Sequence, residues 1–215
     1  LPGGPIAFAA VFEYHEQDYL LSPDQRRIDS DNEVPGAEIF INGSARQGGG
    51  DRDRTSVGLE VLLPVTPKLE VTAALRSDEY DDESSAVGRR QSAMINFAYR
   101  PNDDFLLRGG AGESFRAPDM HYVYAGSSSY FTSVTDYFQC YATGVPSYQA
   151  CDNSSTIKGR FQGNTLLEEE SGENYYLGFV WDVSEGLSFT MDAFHVKLEG
   201  AVTNLDVQAI ANAVW

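Results

Sequence analysis

Cysteine, methionine and basic residues are scarce in this chain. The 215 residues include two Cys, three Met and three His, and 32 acidic side chains stand against 15 basic ones. The net charge of −17 repels phosphate backbones, so nucleic acid is not expected as a partner. The acidic loops also disfavour a bare anionic ligand, whereas a ferric complex or a neutral glycan remains open.

Sites for metals and for catalysis are missing as well. The three histidines, His15, His121 and His195, are isolated, and the acidic segment 78–83 lacks the spacing and the central Gly of an EF-hand. The chain has no Gly-x-Ser-x-Gly, no phosphate loop and no dinucleotide fingerprint. We therefore predict neither an enzyme nor a bound cofactor or metal.

No apolar run reaches the 18 or so residues that a membrane-spanning helix needs. Barrel strands escape that test because their hydropathy averages out over alternating residues. Leu1 is preceded by neither an initiator Met nor a signal sequence, so we expect a mature or truncated product.

The dominant positive signal is alternation of apolar with polar or small residues, which is typical of half-exposed strands. After Phe194 the phase of the last segment becomes unclear. A soluble sandwich would bury the apolar faces, whereas a membrane barrel would turn them to lipid, and alternation alone leaves both open. The alternating segments are 6–15, 54–63, 69–76, 92–100, 105–112, 175–181 and 187–194.

The connections separate these alternatives. Short turns at 64–68, 101–104 and 182–186 alternate with long connections at 16–53, 77–91 and 117–173. Short turns on one rim and long loops on the other are typical of outer-membrane barrels. We predict an all-β, antiparallel up-and-down meander of about seven strands, part of a transmembrane β-barrel. Apolar spacing over 206–215 predicts a short C-terminal helix.

Two motifs beside strands carry a family resemblance. The first runs from Gly112 to Pro118 and contains Phe115-Arg116-Ala117-Pro118; the second contains Asn164, Leu167 and Glu170 and precedes the strand that begins near Tyr175. Both resemble segments of TonB-dependent receptors, in this order and without a gap, and the similarity extends over 57–202. Thr165 and Glu169 depart from the pattern, in which Pro is common at both positions.

The motif residues are interpreted as structural. Pro118 lacks the N–H that would continue a ladder, so it ends the strand. Phe115 is placed for a contact at the rim, and Arg116 for pairing with a carboxylate at the barrel mouth.

The longest connection is rich in aromatic residues, which offer large, rigid contact surfaces with polar tips. They are interpreted either as a ligand surface or as residues that pack on one another to fold the loop. Cys140 and Cys151 close a small loop by a disulfide if the protein is exported, and are unrelated thiols if it is cytosolic. The candidate ligand contacts are Tyr122, Tyr124, Tyr130, Phe131, Tyr137, Tyr141 and Tyr148.

The resemblance implies a bacterial outer-membrane receptor that imports a scarce solute: an iron–siderophore complex, cobalamin or an oligosaccharide. Its implied partners are outer-membrane lipid, the small-molecule or glycan solute, and the TonB complex, which acts through a plug domain. We expect residues 1–215 to be a partial barrel domain without that plug.

An isolated sheet of this kind has two bare edges and an exposed apolar face, so we expect the fragment to form a homodimer or to depend on detergent. The alternative from another class is a soluble all-β module that binds a carbohydrate or another ligand through the same Tyr-rich loop.

Overall fold

The computed structural model describes residues 1–31, 34–35, 43–84, 87–145 and 147–214. Within them the chain forms four helices and a short 3-10 turn at Tyr148–Ala150. The helices are α1 (Gln25–Asp31), α2 (Met120–Tyr124), α3 (Tyr137–Ala142) and α4 (Val207–Val214). The strands are β1 (Ala7–Leu21), β2 (Gly48–Thr66), β3 (Leu69–Asp82), β4 (Arg89–Asn102), β5 (Phe105–Arg116), β6 (Ser128–Thr135), β7 (Ser154–Phe161), β8 (Glu170–Ser184) and β9 (Leu187–Glu199).

Seven strands form one sheet in the order β1-β2-β3-β4-β5-β8-β9. The pairings from β2 to β9 are antiparallel, and each strand lies beside its neighbour in the meander. The seven-stranded meander predicted from alternation is confirmed. No helix among the described residues is long and apolar enough to cross a membrane.

Three tight turns set the register of the sheet. In the first, the backbone N–H of Lys68 donates to Thr66 Oγ1 at 3.2 Å. In the last, Gly186 has a φ of 81°, which is the left-handed region that only glycine adopts without strain. Because side chains alternate with a period of two, these turns decide which residues of each strand share a face.

Several strands run further than alternation indicates. β2 begins at Gly48, β3 ends at Asp82 and β4 begins at Arg89, so these strands cover much of the connections predicted at 16–53 and 77–91. In these extensions both faces carry polar residues, which removes the period-two signal without removing the backbone ladder. Residues 32–33, 36–42 and 85–86 of those connections lie outside the described residues.

The chain divides into two compact units. Unit 1 comprises residues 1–17, 51–118 and 166–201, which form most of the seven-stranded sheet. Unit 2 comprises residues 18–50, 119–165 and 202–215. Its small core contains Met120, Val123 and Tyr124, with Tyr19 packed against them.

Unit 2 contains structure that alternation did not predict. β6 and β7 form an antiparallel two-stranded sheet inside the longest connection. The side-chain amide of Gln208, from α4, accepts from the backbone N–H of Thr135 at 2.7 Å and donates to its carbonyl oxygen at 2.9 Å. These two bonds take the place of the backbone hydrogen bonds that a neighbouring strand would make at the end of β6. The short C-terminal helix predicted over 206–215 is confirmed as α4.

Candidate functional site

One face of the unit 1 sheet carries a continuous apolar surface, the apolar belt. The register aligns its members across the sheet, for example Leu59 opposite Leu75 and Leu177 opposite Ala193. The described residues of unit 1 form only strands and connections, so none of them makes a second layer over this face. Members of the belt are Val57, Leu59, Val61, Leu63, Leu69, Val71, Ala73, Leu75, Ala93, Ile95, Phe97, Tyr99, Phe105, Leu107, Ala111, Tyr175, Leu177, Phe179, Trp181, Leu187, Phe189, Met191 and Ala193.

The belt has a sharp border on the side away from the tight turns. The next residue on the same face is polar in β2, β3, β4, β5, β8 and β9. A polar border that continues across consecutive strands is typical of the edge of a hydrocarbon layer. These border residues are Thr55, Ser77, Gln91, Glu113, Glu173 and His195.

Beyond this border, β9 reverses its polarity. Up to Ala193 its apolar side chains share the belt face, whereas Phe194, Val196 and Leu198 lie on the opposite face. His195 and Lys197 take the belt face instead. This reversal explains why the alternation of this segment loses its phase after Phe194.

The opposite face of the sheet, the polar face, is linked by hydrogen bonds between strands. Arg108 of β5 pairs with Asp192 of β9 at 2.8 Å, and the Tyr176 hydroxyl donates to Asn96 Oδ1 at 3.3 Å. Gly178 makes room for the first pair, because a Cβ there would lie 1.9 Å from Asp192 Oδ1. Such side chains lie flat across glycines and form a thin hydrophilic wall.

A second set of charges lies further along the polar face. Arg76 pairs with Glu13 at 2.6 Å and with Asp78 at 3.0 Å. Asp78 is buried and also accepts from the Ser56 hydroxyl at 2.5 Å. Together these bonds tie β1, β2 and β3 to one another by side chains as well as by the backbone ladder.

The first family motif lies where β5 ends. Pro118 is fully buried, and its carbonyl oxygen accepts from Arg52 Nη1 at 2.8 Å. Arg52 Nε in turn pairs with Asp82 at 2.5 Å, and the guanidinium lies 5.8 Å from the centroid of the Tyr80 ring. The end of β5 is therefore held to the beginning of β2 and to the end of β3. The residues that hold it, Arg52 and Asp82, belong to neither family motif.

Phe115 and Ala117 are half-buried in the same region. The Phe115 ring meets the Tyr80 ring edge-on, with centroids 6.2 Å apart. Edge-to-face packing of this kind stabilises aromatic pairs beyond their buried area. Arg52 was not singled out in the sequence, because a charged residue in a polar strand extension has no local pattern. Tyr80 and Asp82 were considered only as members of the acidic segment 78–83.

The second motif meets the first through ion pairs. Arg116 lies opposite Glu170 in the ladder, with Nη1 and Oε2 3.8 Å apart. Arg90 pairs with Glu169, with a hydrogen bond of 2.6 Å from Nη2. That bond holds the pKa of the Glu169 carboxyl below its ordinary value. Glu169, where the family commonly has Pro, thus links β4 to the start of β8.

The other two residues of the second motif are in different units. The backbone N–H of Asn164 donates to the carbonyl oxygen of Tyr122 at 2.8 Å within unit 2. Leu167 is half-buried in unit 1. Both lie in the short connection between β7 and β8.

The aromatic candidates of the long connection have different surroundings. Tyr124 is a core residue of unit 2, and its ring lies over Gly50, where a Cβ would come within 2.4 Å of it. For Tyr124, packing is therefore the correct interpretation. Tyr122, Tyr130 and Tyr137 are half-buried, whereas Phe131 is 53% exposed and Tyr141 is 84% exposed. The side chain of Tyr148 lies outside the described residues.

Cys140 and Cys151 form the predicted disulfide, with Cα atoms 5.8 Å apart. It ties α3 to the segment that leads into β7. On α3, Phe138 and Tyr141 are three positions apart and therefore share a face of the helix. Phe138 is 64% exposed. Phe138 was not among the predicted ligand contacts, although its position beside the disulfide loop gave the same signal.

No group of three or more His, Cys, Asp or Glu in the part of the chain that the structure describes is arranged to hold a metal ion. A sheet with one hydrophilic face and one apolar face that ends in a polar border has the geometry of a membrane barrel wall.

Comparison with known proteins identifies the class. A family model described as TonB dependent receptor-like, beta-barrel, matches residues 3–214. This chain belongs to that family, as the resemblance of its two motifs implied. It is a segment of the β-barrel of a bacterial outer-membrane protein.

Three matches, to two proteins, are informative. The chain is 27% identical over 186 residues to the probable TonB-dependent siderophore receptor PirA of Acinetobacter baumannii, covering 77% of this chain and 22% of PirA. The crystal structure of PirA matches with a TM-score of 0.59 at 21% identity, covering 90% of this chain and 24% of that chain. A mutant ferric enterobactin receptor PfeA of Pseudomonas aeruginosa, in complex with enterobactin, matches with a TM-score of 0.61 at 18% identity and the same coverages.

The structural matches show a shared fold, and the chain spans about a quarter of the length of these receptors. The alternative of a soluble sandwich is wrong, because the sheet belongs to a barrel family.

Proposed function

We propose that this chain is part of the barrel of an outer-membrane receptor that imports a ferric siderophore with energy supplied through TonB. The observation that carries the proposal is the family match over 3–214, together with relatives that are siderophore receptors by name. The plug through which TonB acts would come from the part of such a receptor that this chain does not span.

The two faces of the sheet fit this role. The apolar belt would contact the hydrocarbon of the outer membrane, since charged side chains are absent from it. The polar face would line the lumen, where pairs such as Arg108–Asp192 keep the wall hydrophilic and close to neutral. An aqueous lumen would accept a bulky, polar iron complex.

Unit 2 would supply ligand contacts. Along the chain, most of its residues belong to the long connections 16–53 and 117–173, and the long connections of outer-membrane barrels are extracellular. Of the predicted contacts, Tyr122, Tyr130, Phe131, Tyr137 and Tyr141 keep exposed or half-exposed side chains. Their rings would pack against the apolar parts of a siderophore.

The test uses the gene that encodes the whole receptor. A strain without it is grown under iron limitation with one siderophore at a time, and uptake of radioactive iron is followed with and without a protonophore. We expect the strain to lose uptake of at least one ferric siderophore, and the protonophore to abolish that uptake in the parent. Loss of cobalamin or oligosaccharide uptake alone, with all iron uptake intact, would disprove the siderophore assignment.

A further inference from the structure

The helix α4 contacts the strand β6 within unit 2, although the two elements come from different connections of the chain. β6 belongs to the connection between β5 and β8, whereas α4 follows β9. The residues that meet, Thr135 and Gln208, are 73 positions apart in the sequence. The contact therefore joins two connections that are separated by the hairpin β8–β9.

A single side chain makes this contact specific. Gln208 Oε1 accepts from the backbone N–H of Thr135 at 2.7 Å, and Gln208 Nε2 donates to the Thr135 carbonyl oxygen at 2.9 Å. Both backbone groups of Thr135 point away from β7, so the amide bonds to them as a neighbouring strand would. Nε2 also donates to Asn212 Oδ1 at 2.9 Å, one turn further along α4, which fixes the orientation of the amide.

The helix has few stabilising contacts of its own. α4 is eight residues long, and isolated helices shorter than about 12 residues are marginal in water. Asp206 Oδ1 accepts from the backbone N–H of Gln208 at 2.8 Å and so caps the first turn. Ala211 is buried, whereas Ala209 and Ile210 are exposed. We infer that docking on β6 keeps this segment helical.

The hairpin β6–β7 depends on the helix in turn. β6 pairs with β7 along one side. On its other side, the start of β6 is held by a different segment, because Ser129 donates its N–H to the Ser44 carbonyl oxygen at 2.9 Å and Ala45 pairs with Ser128. The end of β6 is held by Gln208. A two-stranded hairpin by itself is marginally stable, so loss of the Gln208 bonds should open this end.

We propose that α4 is a strap, which folds as it docks on β6, closes the end of the β6–β7 hairpin and opens the hairpin when it undocks. Folding of the helix and closure of the hairpin then form one local equilibrium, because each element stabilises the other. A movement of the connection after β9 is thereby converted into opening of the hairpin. This inference goes beyond the proposed function, since it does not depend on which solute the receptor imports.

A permanent structural contact is the alternative explanation. Helices in permanent contacts bury a wide apolar face, because burial provides most of their stability. In α4, Ile210 is 46% exposed, and Leu205, which precedes the helix, is 78% exposed. The bonds that fix the position of the helix come from Gln208. The contact is therefore specific enough to close in one register and weak enough to open.

The experiment uses the whole receptor, purified in detergent, and follows hydrogen exchange of α4 and of the hairpin separately by mass spectrometry. Ala209→Gly lowers the helix propensity of α4 at an exposed position. Ala201→Gly is the matched control, because it removes the same methyl group from an exposed, non-helical position in the same connection. Gln208→Leu removes both bonds to Thr135 and keeps a side chain of similar size.

We expect Ala209→Gly to increase exchange about fivefold in β6 and β7 as well as in α4, which is the population change that Gly in place of Ala produces in a helix. Gln208→Leu should increase exchange in both elements by about tenfold or more. Ala201→Gly should leave both unchanged.

The reverse substitution tests the reciprocity of the coupling. Val134 is fully buried in β6, and Val134→Ala weakens the hairpin without changing any residue of the helix. It should increase exchange in α4, because coupling between two elements acts equally in both directions.

Faster exchange in α4 alone, with β6 and β7 unchanged in Ala209→Gly and Gln208→Leu, would overturn the inference, because the hairpin would then close without the helix. Unchanged exchange in both elements in all three variants would also overturn it, since the contact would then be permanent. An equal increase in β3 and β4, which belong to unit 1, would do the same, because the effect would not be local to the strap.

Discussion

Arg52 joins the ends of three strands, because its Nη1 donates to the carbonyl oxygen of Pro118 at 2.8 Å while its Nε pairs with Asp82 at 2.5 Å. The side chain of Arg52 is 8% exposed and that of Asp82 is fully buried. A buried pair of this kind is costly to break, since the remaining charge stays buried without its counter-ion.

We therefore predict that Arg52→Ala destabilises the receptor by about 3–5 kcal/mol, because Asp82 is left buried without a counter-ion and keeps its hydrogen bonds from Ser84. Thermal unfolding of the whole receptor in detergent measures the loss. Arg116→Ala is the control, since Arg116 is 70% exposed and pairs loosely with Glu170, and should cost under about 1 kcal/mol. Equal stability of the two variants would show that the Arg52 contacts contribute nothing.

The disulfide should stabilise unit 2 selectively. Cys140 and Cys151 are 11 residues apart, and closing a loop of this size contributes about 2–4 kcal/mol. Cys140→Ser/Cys151→Ser should therefore increase hydrogen exchange in α3 and in the segment that leads into β7. Exchange in β3 and β4 serves as the internal reference, and a uniform increase across both units would contradict a local role.

The pair between Arg90 and Glu169 should make the start of β8 sensitive to acid. Arg90 lowers the pKa of Glu169 from its ordinary value of 4.5, so the pair contributes stability that is fully present above that value. The contribution is lost as pH falls through the lowered pKa. We expect hydrogen exchange near Glu169, corrected for the intrinsic effect of pH, to increase in that range.

Glu169→Gln should remove this pH dependence, whereas Glu168→Gln, an exposed neighbour, should preserve it. An identical acid response in both variants would show that another group is responsible.

The two faces of β9 offer a matched test of the lipid contact. Met191 belongs to the apolar belt, and Thr190 is exposed on the polar face. Met191→Arg should cost about 2–4 kcal/mol, because a charge near the middle of the hydrocarbon layer is destabilising, and Thr190→Arg should cost much less. The heat-induced gel shift of the folded barrel and its level in the outer membrane report the difference. If Thr190→Arg were the more destabilising variant, the face assigned here to the lumen would be the one that contacts lipid.

The isolated chain should associate through its uncovered surfaces. The apolar belt is exposed, and β1 and β9 are the two edges of the seven-stranded sheet. In analytical ultracentrifugation without detergent we expect a homodimer or larger species, and detergent should disperse them. A monodisperse monomer that binds no hydrophobic dye would contradict this expectation.

Particular residues show what could be inferred in advance. Alternation identified the strand cores of the sheet, since each has one face that is apolar throughout, and the turns around Lys68 and Gly186 follow from local residue preferences. The close pair Cys140 and Cys151 was also recognisable, because short separation favours a bond in an exported protein.

Other features had no local signal. The β6–β7 hairpin went unpredicted, because its alternation lies in a Ser-rich stretch of small polar residues. Tyr124 could not be told from its exposed neighbours, because its burial depends on Tyr19, which is distant in sequence.

The sequence by itself determined the strand cores, the tight turns, the C-terminal helix and the family, because these depend on short-range periodicity and on contiguous motifs. Only the tertiary structure decided which charged residues meet, such as Arg52 with Pro118 and Arg108 with Asp192. It also decided which aromatic residues are buried, and that Gln208 meets Thr135. These contacts depend on strand register and on long-range packing, and a single-residue change of register would replace every one of them.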